Sequence, residues 1–542
     1  MSRVAVLGGG ISGLSAAYYL ARLSPPTTKI VLVEAKDRLG GWIKSNKSNS
    51  ITNDSSVLFE SGPRTLRPKG PSGTLLLEMI QHLNLNDERL VTIPADHPSA
   101  QNRYIYYDGK INTLPNKLSS LIFNKPPICK SVLLAGALEP LRSNRFDKQG
   151  LPKDSQLDES IYSFMKRRFN EHTAINLMGA LTHGIYAGDI KTLSLQSTFR
   201  MLYEAERNYG SVVVGMMKGA ANTATMRERG MAVRAKDSDP EWYNNMEKMS
   251  IIGFKDGLET LPQHIYEYLK TCDNVEFVIN DPVQSITTVE NNNEVKIKTS
   301  KSEYYADHVI STLPSFTLDK LIPNTLPHLS FNPAADVAVV NFAYAPDVKL
   351  TYDGFGFLTP HRDTTQKIPV PGTLGVIFDS NVIPEEEQKR TKVTAMLGGS
   401  DWKDIFGNTP IDALDPNQAL EATRQVMKEF LNIGDEPTHS LVSLQKQCIP
   451  HYLVGHQERI YQLHHATAKK FGHLLSLTGA SYMGVSVPDC IKNSRMLVEE
   501  LLVSGSLGSR EKIVTGLANN ITRDIKDSIQ LSKGNTNVIL KA

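Results

Sequence analysis

Cysteine is scarce: Cys129, Cys272, Cys448 and Cys490 are the four in 542 residues, and no two form a C-x-x-C pair. That spacing signals neither a zinc site nor a disulfide framework, so reduced thiols and no metal are expected. An excess of one charge is lacking too. Lys plus Arg (59) nearly match Asp plus Glu (57), a formal +2, which is too balanced for phosphate neutralisation to dominate binding; nucleic acid is not an expected partner. No apolar run approaches the roughly 18 residues a spanning helix requires, so membrane attachment, if any, is peripheral. Val4-Ala5-Val6-Leu7 already reads as a buried strand, which leaves no room for a cleaved leader ahead of the fold. Hydrophobic content of 40%, with 37 Gly and 29 Pro, excludes fibrous and mainly disordered chains. At about 150 residues per domain the length supplies three or four domains' worth of material.

What is present opens with a βαβ unit: strand Val4–Leu7, the turn Gly8-Gly9-Gly10-Ile11-Ser12-Gly13, a helix over 14–23 ended by Ser24-Pro25-Pro26, and a β-branched strand over 30–34. Tyr104-Ile105-Tyr106-Tyr107 followed by Asp108-Gly109 predicts a hairpin. Residues 117–221 are mostly helical in pattern, with apolar segments Leu118–Phe123 and Val132–Leu138 edged by Lys117, Lys125, Lys130, Arg142 and Arg145, and a basic cluster Lys166-Arg167-Arg168. Such segments fit either a helix lying in a lipid headgroup layer or an internally packed helical subdomain. Short strands follow at 275–279, 283–289, 295–298 and 308–311, with an Asn291-Asn292-Asn293 turn. A second alternating set covers 337–343, 354–358 and 374–378. The stretch 474–502 returns to strand, glycine turn, helix, and 513–521 reads as a helix before a loose tail.

In G-x-G-x-x-G the first glycine makes the tight turn, the second admits a pyrophosphate to backbone N–H groups, and the third lets helix pack on strand. The helix N-terminus adds partial positive charge. Glu34, about 20 residues beyond Gly13, is placed to accept ribose hydroxyls and to repel a 2′-phosphate. The pattern with its flanking strand, helix and acid predicts dinucleotide binding. Arg38-Leu39-Gly40-Gly41-Trp42 adds a second glycine pair, read either as a tight turn or as a backbone segment that lies against the cofactor.

From Val4 to Trp42 the chain resembles the flavin-containing amine-oxidase superfamily, which includes amine oxidases, phytoene desaturases, protoporphyrinogen oxidases and the non-catalytic GDP-dissociation inhibitors. Phe59-Glu60-Ser61-Gly62-Pro63-Arg64, Asp96-His97-Pro98 with Gln101-Asn102-Arg103, His183-Gly184-Ile185-Tyr186-Ala187-Gly188, Ile310–Pro314, Gly375–Ser380 and Gly479–Val487 are similar to the oxygen-dependent protoporphyrinogen oxidase branch. The likeness runs from residue 2 to about 505.

That resemblance implies a mixed α/β (α+β) fold in three parts. A Rossmann-like FAD-binding domain takes 1–90, 222–312 and 440–508, an interleaved mixed-sheet substrate domain takes 91–116 and 313–439, a helical membrane-binding domain takes 117–221, and 509–542 form a tail. It implies non-covalent FAD held by Gly8, Gly9, Gly10, Ile11, Ser12, Gly13, Glu34, Ala35, Trp42, Gly62, Pro63, Arg64, Thr65, Val283, Ala480, Val485, Ser486 and Val487. Val283 and Val487 read equally as core positions. Arg103 is implied to pair with a substrate propionate, although by itself it reads as a surface charge. Gly184, Ile185, Phe357, Leu358 and Phe378 are implied to line the macrocycle pocket, and the three on strands suit an ordinary core as well. His183 departs from relatives that have Arg. The implied reaction takes six hydrogens from protoporphyrinogen IX in three two-electron hydride transfers to flavin, with O₂ as acceptor and hydrogen peroxide as product, the penultimate step of haem biosynthesis. No catalytic side chain is assigned, and positioning over the flavin carries the rate. Peripheral attachment to the mitochondrial inner membrane, a homodimer and hand-over to ferrochelatase complete the expectation. The rivals are an amine oxidase or carotenoid desaturase on the same scaffold, for which Cys490 is poorly placed as a covalent flavin anchor, and a flavin-free binding protein. His464-His465 reads as solvated histidines, since neighbours on a helix face different directions.

Overall fold

A computed structural model describes residues 2–48, 56–115, 127–147, 150, 152–153, 158–289, 293–382, 390–507 and 512–518. The expected segment Leu118–Phe123 with Lys117 and Lys125, the Asn291-Asn292 part of the turn and all residues beyond 518 lie outside the described residues.

A parallel five-stranded sheet in the order Leu475–Leu477, His308–Ser311, Arg3–Leu7, Lys29–Val33, Val275–Val278 forms the first layer system. Val4–Leu7 and Ile30–Val33 read as continuous apolar runs because both faces are covered. Helix Ile11–Leu23 is buried from Ser12 to Leu20 because the helices Thr260–Lys270 and Val487–Val503 flank it. A three-stranded antiparallel meander joins Val283–Val289, Glu294–Thr299 and Glu303–Ala306. The third of these, short and half exposed, carried no strand signal in the sequence.

A seven-stranded sheet forms the second system, in the order His439–Pro450, Ala334–Tyr344, Thr391–Gly398, Thr373–Ile377, Gly356–Leu358, Arg103–Tyr107, Lys110–Leu114. The expected hairpin is its edge. Helix Pro416–Leu431 covers one face over a core of Tyr104, Phe357, Val376, Phe378 and Phe430. The other face packs in part against the helical part, Ile105 and Leu358 with Ile128 and Ala180 and Val339 with Ala187. Three expected boundaries shift. His439–Pro450 belongs to this sheet rather than to the dinucleotide part. Helix Ser315–Leu321, through Leu318 and Leu321, packs in the core of the first sheet. Leu90–Pro94 pairs with Met249–Phe254 outside the seven-stranded sheet. Alternation marks a strand but not its partner, and the partner decides the domain.

The helical part contains Pro127–Leu138, Ile161–Arg168, Gly179–Tyr186, Arg200–Tyr209 and Val212–Met217. The basic cluster grades inward, with Lys166 exposed, Arg167 half-buried and Arg168 internal. Arg168 is fully buried, donating through Nε to Glu139 Oε1 at 2.7 Å and through Nη1 and Nη2 to the carbonyls of Ser143 and Gly210. Glu139, equally buried, also accepts from the N–H groups of Val212 and Val213, and these bonds hold its carboxyl below the usual range although burial opposes them. Arg167 pairs with Glu159 and Glu206, and Arg145 with Glu159. Exposed apolar side chains stand nearby instead: Leu134 (66%), Leu141 (82%) and Met217 (84%).

Of the helix expected over 513–521, the described residues 513–517 are not helical; they run into the core of the first sheet, where Val514 and Leu517 are buried. There Thr515 O accepts from Leu477 N–H at 2.8 Å, and the Thr515 hydroxyl lies 2.6 Å from His464 Nδ1. His464 is thus partnered rather than solvated.

Arg168→Ala leaves Glu139 buried without its cation and is expected to cost about 3–5 kcal/mol in urea unfolding. Lys166→Ala, which breaks an exposed pair with Glu171, is expected to leave the midpoint unchanged.

Candidate cofactor and substrate site

The glycine turn is built so that only glycine fits. A Cβ on Gly13 would lie 1.8 Å from Gly8 O, and Gly8 itself sits at φ +100°. The second glycine pair packs directly on the first: Gly40 N–H donates to Gly9 O at 2.8 Å, and a Cβ on Gly41 would lie 3.0 Å from Gly10 Cα. Arg38 knots this loop by donating to the carbonyls of Leu39 and Ile43. Helix Ile11–Leu23 begins at Gly10 with no side-chain cap and no acid in its first turn, so its first N–H groups are left for an anion. Glu34 stands at the end of the neighbouring strand, with Oε2 2.6 Å from Gly9 N and Oε1 2.8 Å from Lys36 N. Ala35 and Trp42 are exposed beside it. The donor set and the open side of Gly10 fit a pyrophosphate with its ribose.

The wall opposite comes from Gly62-Pro63-Arg64-Thr65. Gly62 is forced to be glycine by Trp42 O, 2.3 Å from where its Cβ would be. The segment is laced to the seven-stranded sheet: Gln445 Nε2 donates to Ser61 O at 2.7 Å, Ser443 Oγ to Ser61 Oγ at 2.8 Å and Asn341 Nδ2 to Glu60 O at 3.2 Å. The Arg64 guanidinium binds Asp379 through Nη1 at 2.8 Å, while its buried Nη2 has no partner among the described residues. Behind it, a cavity of ≈ 60 Å³ is bordered by Glu60, Arg64, Asp379 and Lys392. Burial there pushes the Glu60 carboxyl up to about 7 against the bonds from Leu258 N–H and Ser45 Oγ.

The remaining expected cofactor residues differ in exposure and surroundings. Val283, partly buried, follows Asp281, whose N–H donates to Glu34 O. Gly479, at φ +110°, closes on Ser12, and Ser486 caps helix Val487–Val503 by accepting from Asp489 N–H. Ala480 lies in the turn between them and Val485 packs against the helical part. The Val487 side chain belongs to the core under the first sheet. Cys490 is buried, its thiol pushed up to about 11 by desolvation.

On the face of the seven-stranded sheet turned away from helix Pro416–Leu431, alternation and register place Arg103, Ile105, Leu358, Ile377, Met396 and Val339 together. Arg103 lies 4.8 Å from the Phe355 ring and has no anionic partner among the described residues. Burial, helped by the like charge of Arg67, lowers its pKa. Gly184 is packed on Leu358, where a Cβ would approach Cδ2 to 2.5 Å, and Ile185 is 47% exposed beside it. Phe357 and Phe378 do not join them. They point through the opposite face into the core, Phe357 lying 5.2 Å from Phe430, because neighbours on a strand alternate. Ile377 and Met396 were missed, since only the cross-strand register puts them beside Leu358. His183 is buried near Asp401 (3.5 Å) and His361.

The sequence profile of flavin-containing amine oxidoreductases matches residues 11–502. This chain belongs to that family. It is 36% identical over 507 residues to the protoporphyrinogen oxidase of Schizosaccharomyces pombe, covering 92% of this chain and 98% of the relative. It is 33% identical over 509 residues to that of Homo sapiens, with the same coverage. A crystal structure of a putative protoporphyrinogen oxidase from Exiguobacterium sp. 255-15 superposes with a TM-score of 0.69 at 22% identity, covering 93% of this chain and 99% of that one. A flavin family with a dinucleotide cradle takes FAD.

Gly13→Ala is expected to purify without flavin. Glu34→Ala is expected to bind FAD about tenfold more weakly. Flavin absorbance per protein and FAD titration of the apoprotein check both.

Proposed function

We propose that this chain is an FAD-dependent oxidase that converts protoporphyrinogen IX to protoporphyrin IX in three two-electron steps, with O₂ as acceptor. The observation that carries the reading is the sheet face turned away from helix Pro416–Leu431: an apolar floor with one end marked by Arg103, a guanidinium with no protein anion beside it among the described residues. A macrocycle with propionates on one side and hydrocarbon elsewhere complements such a surface. Relatives named protoporphyrinogen oxidase over nearly their whole length support it.

Bound FAD supplies the two-electron oxidant, which O₂ restores with release of hydrogen peroxide. The protein's part is to bind and orient. Arg103 offers a planar fork to a propionate, strengthened by its partly desolvated position. Leu358, Ile377 and Met396 form the floor, and Gly184, lacking a side chain, lets helix Gly179–Tyr186 close on Leu358. The carboxylate of Asp379 is held by Arg64, so it is engaged rather than available as a base. Proton loss from a pyrrole N–H and tautomerisation around the ring require no strong side-chain base, and holding a methylene bridge against the oxidant carries the rate. Gly8 to Gly13, Glu34, the backbone of Gly62 to Thr65 and the segment from Ala480 to Ser486 hold the cofactor in this reading.

The reading includes peripheral attachment to the mitochondrial inner membrane through the helical part. Among the described residues no helix is long and apolar enough to cross a membrane. Leu134, Leu141 and Met217 are exposed there beside Lys130, Arg142 and Lys218, a combination suited to an anionic lipid surface.

Anaerobic mixing with protoporphyrinogen IX is expected to bleach the flavin by one two-electron step, and admitting O₂ is expected to restore the flavin and yield porphyrin fluorescence with three molecules of hydrogen peroxide per porphyrin. Peroxide formed only with benzylamine, or conversion of phytoene alone, would reject the assignment. A protein that cannot be loaded with FAD would favour a non-catalytic binding module. Arg103→Ala is expected to raise KM for protoporphyrinogen by about 10–100-fold with the flavin spectrum unchanged. Flavin loss in that variant would show a structural role instead. Leu134→Glu with Leu141→Glu and Met217→Glu is expected to abolish flotation with anionic vesicles while turnover of detergent-dispersed substrate persists.

A further inference from the structure

The chain leaves the seven-stranded sheet at Pro450 and crosses to helix His456–Phe471 beside the first sheet. All three parts of the molecule meet on this crossing. Ser194 N–H donates to Tyr452 O at 2.8 Å, Val454 N–H to Thr192 O at 3.0 Å, and Gly455 N–H to the Asp158 carboxylate at 2.8 Å.

Two side chains of the crossing reach beyond it. Tyr452 and His456 are buried and stacked, with ring centroids 4.4 Å apart and planes 18° from parallel. The Tyr452 hydroxyl donates to Ala480 O, and His456 Nε2 lies 2.8 Å from Tyr482 O. A carbonyl only accepts, so Nε2 carries the proton. Nδ1 is then an acceptor, and Asn332 Nδ2 donates to it at 2.9 Å. Desolvation pushes the His456 pKa down to about 4, which keeps the ring in this neutral form. The adjoining carbonyl, Met483 O, accepts from Asn493 Nδ2 at 2.6 Å.

Ala480 and Tyr482 lie between these rings and the glycine turn, which Gly479 touches through Ser12. In a trans peptide the C=O and the following N–H point in opposite directions, and the described chain has no cis peptide bond. Drawing the carbonyls of Ala480 and Tyr482 toward Tyr452 and His456 therefore turns the N–H groups of Ser481 and Met483 away from those rings.

We propose that Tyr452 and His456 are positioning residues for the cofactor: they grip two carbonyls from behind and so aim the Ser481 and Met483 N–H groups at the edge of the flavin that gathers negative charge on reduction. Fixed donors stabilise such charge without reorganising when it appears. The inference rests on the FAD assignment of the crevice and adds to it the side chains that tune the ring.

Sulfite titration and the two-electron midpoint potential of purified holoproteins test it. Tyr452→Phe and His456→Phe are expected to bind sulfite about tenfold more weakly and to show a lowered midpoint potential, with FAD content and Tm close to wild type. His456→Gln, which keeps an N–H donor of similar reach, is expected to recover most of the sulfite affinity. Tyr243→Phe, which deletes a buried hydroxyl bonded to Gln81, is the packing control and is expected to match wild type. Wild-type sulfite affinity in FAD-replete Tyr452→Phe overturns the proposal, and that variant alone decides should His456→Phe not fold. Equal weakening in Tyr243→Phe also overturns it. A wild-type protein that takes up no FAD fails the cofactor assignment and the proposal with it, a result distinct from normal flavin with unmoved sulfite affinity.

Discussion

The crevice exists because backbones approach one another more closely than any side chain allows. Gly13 against Gly8 O brings the first helix down onto its strand, and Gly41 against Gly10 lays a second loop along the same edge. Everything that an anion or a ribose could meet there follows from these contacts: uncapped N–H groups at the start of helix Ile11–Leu23, the Glu34 carboxylate brought within 2.6 Å of Gly9 N, and an open side at Gly10. Enlarging any of these glycines separates the elements that form the cradle.

A second constraint sets where substrate can lie relative to the cradle. The segment from Glu60 to Arg64 belongs to the first layer system by sequence and is bonded to the second by Asn341, Ser443, Gln445 and Asp379. These bonds are short-range and directional, so they fix the sheet face that carries Leu358, Ile377 and Met396 relative to the segment from Gly62 to Thr65. A reaction that depends on holding one carbon over an oxidant needs such a fixed separation more than it needs an acid or a base. The crossing at Tyr452 and His456 supplies a comparable tie from the other side.

The helical part shows how charge and hydrophobicity can exchange places on folding. Arg145, Arg167 and Arg168 satisfy Glu139, Glu159 and Glu206 inside the subdomain, while Leu134, Leu141 and Met217 are left outside. The buried cations register helices against one another, and the exposed apolar side chains are the surface that a lipid layer would meet.

Local chemistry was legible from the order of residues alone. The glycine turn, the acid after the second strand, the double glycine, the hairpin at 103–114 and the strand–turn–helix at the carboxyl end each express a constraint among neighbours in sequence, where spacing decides which atoms can approach. Dinucleotide binding follows from them, and the family resemblance narrows it to FAD. What depended on tertiary structure was pairing and facing. Phe357 and Leu358 are adjacent and equally apolar, yet one fills the core under helix Pro416–Leu431 and the other meets Gly184, because sheet order sets which face is covered. Ile377 and Met396 join the floor only through cross-strand register, and His439–Pro450 joins the second sheet only through its pairing with Ala334–Tyr344. An amphipathic pattern says that a face will be buried, and a basic run says that charge must be balanced. Neither carries the identity of the distant partner, which is chosen by the packing of the whole chain.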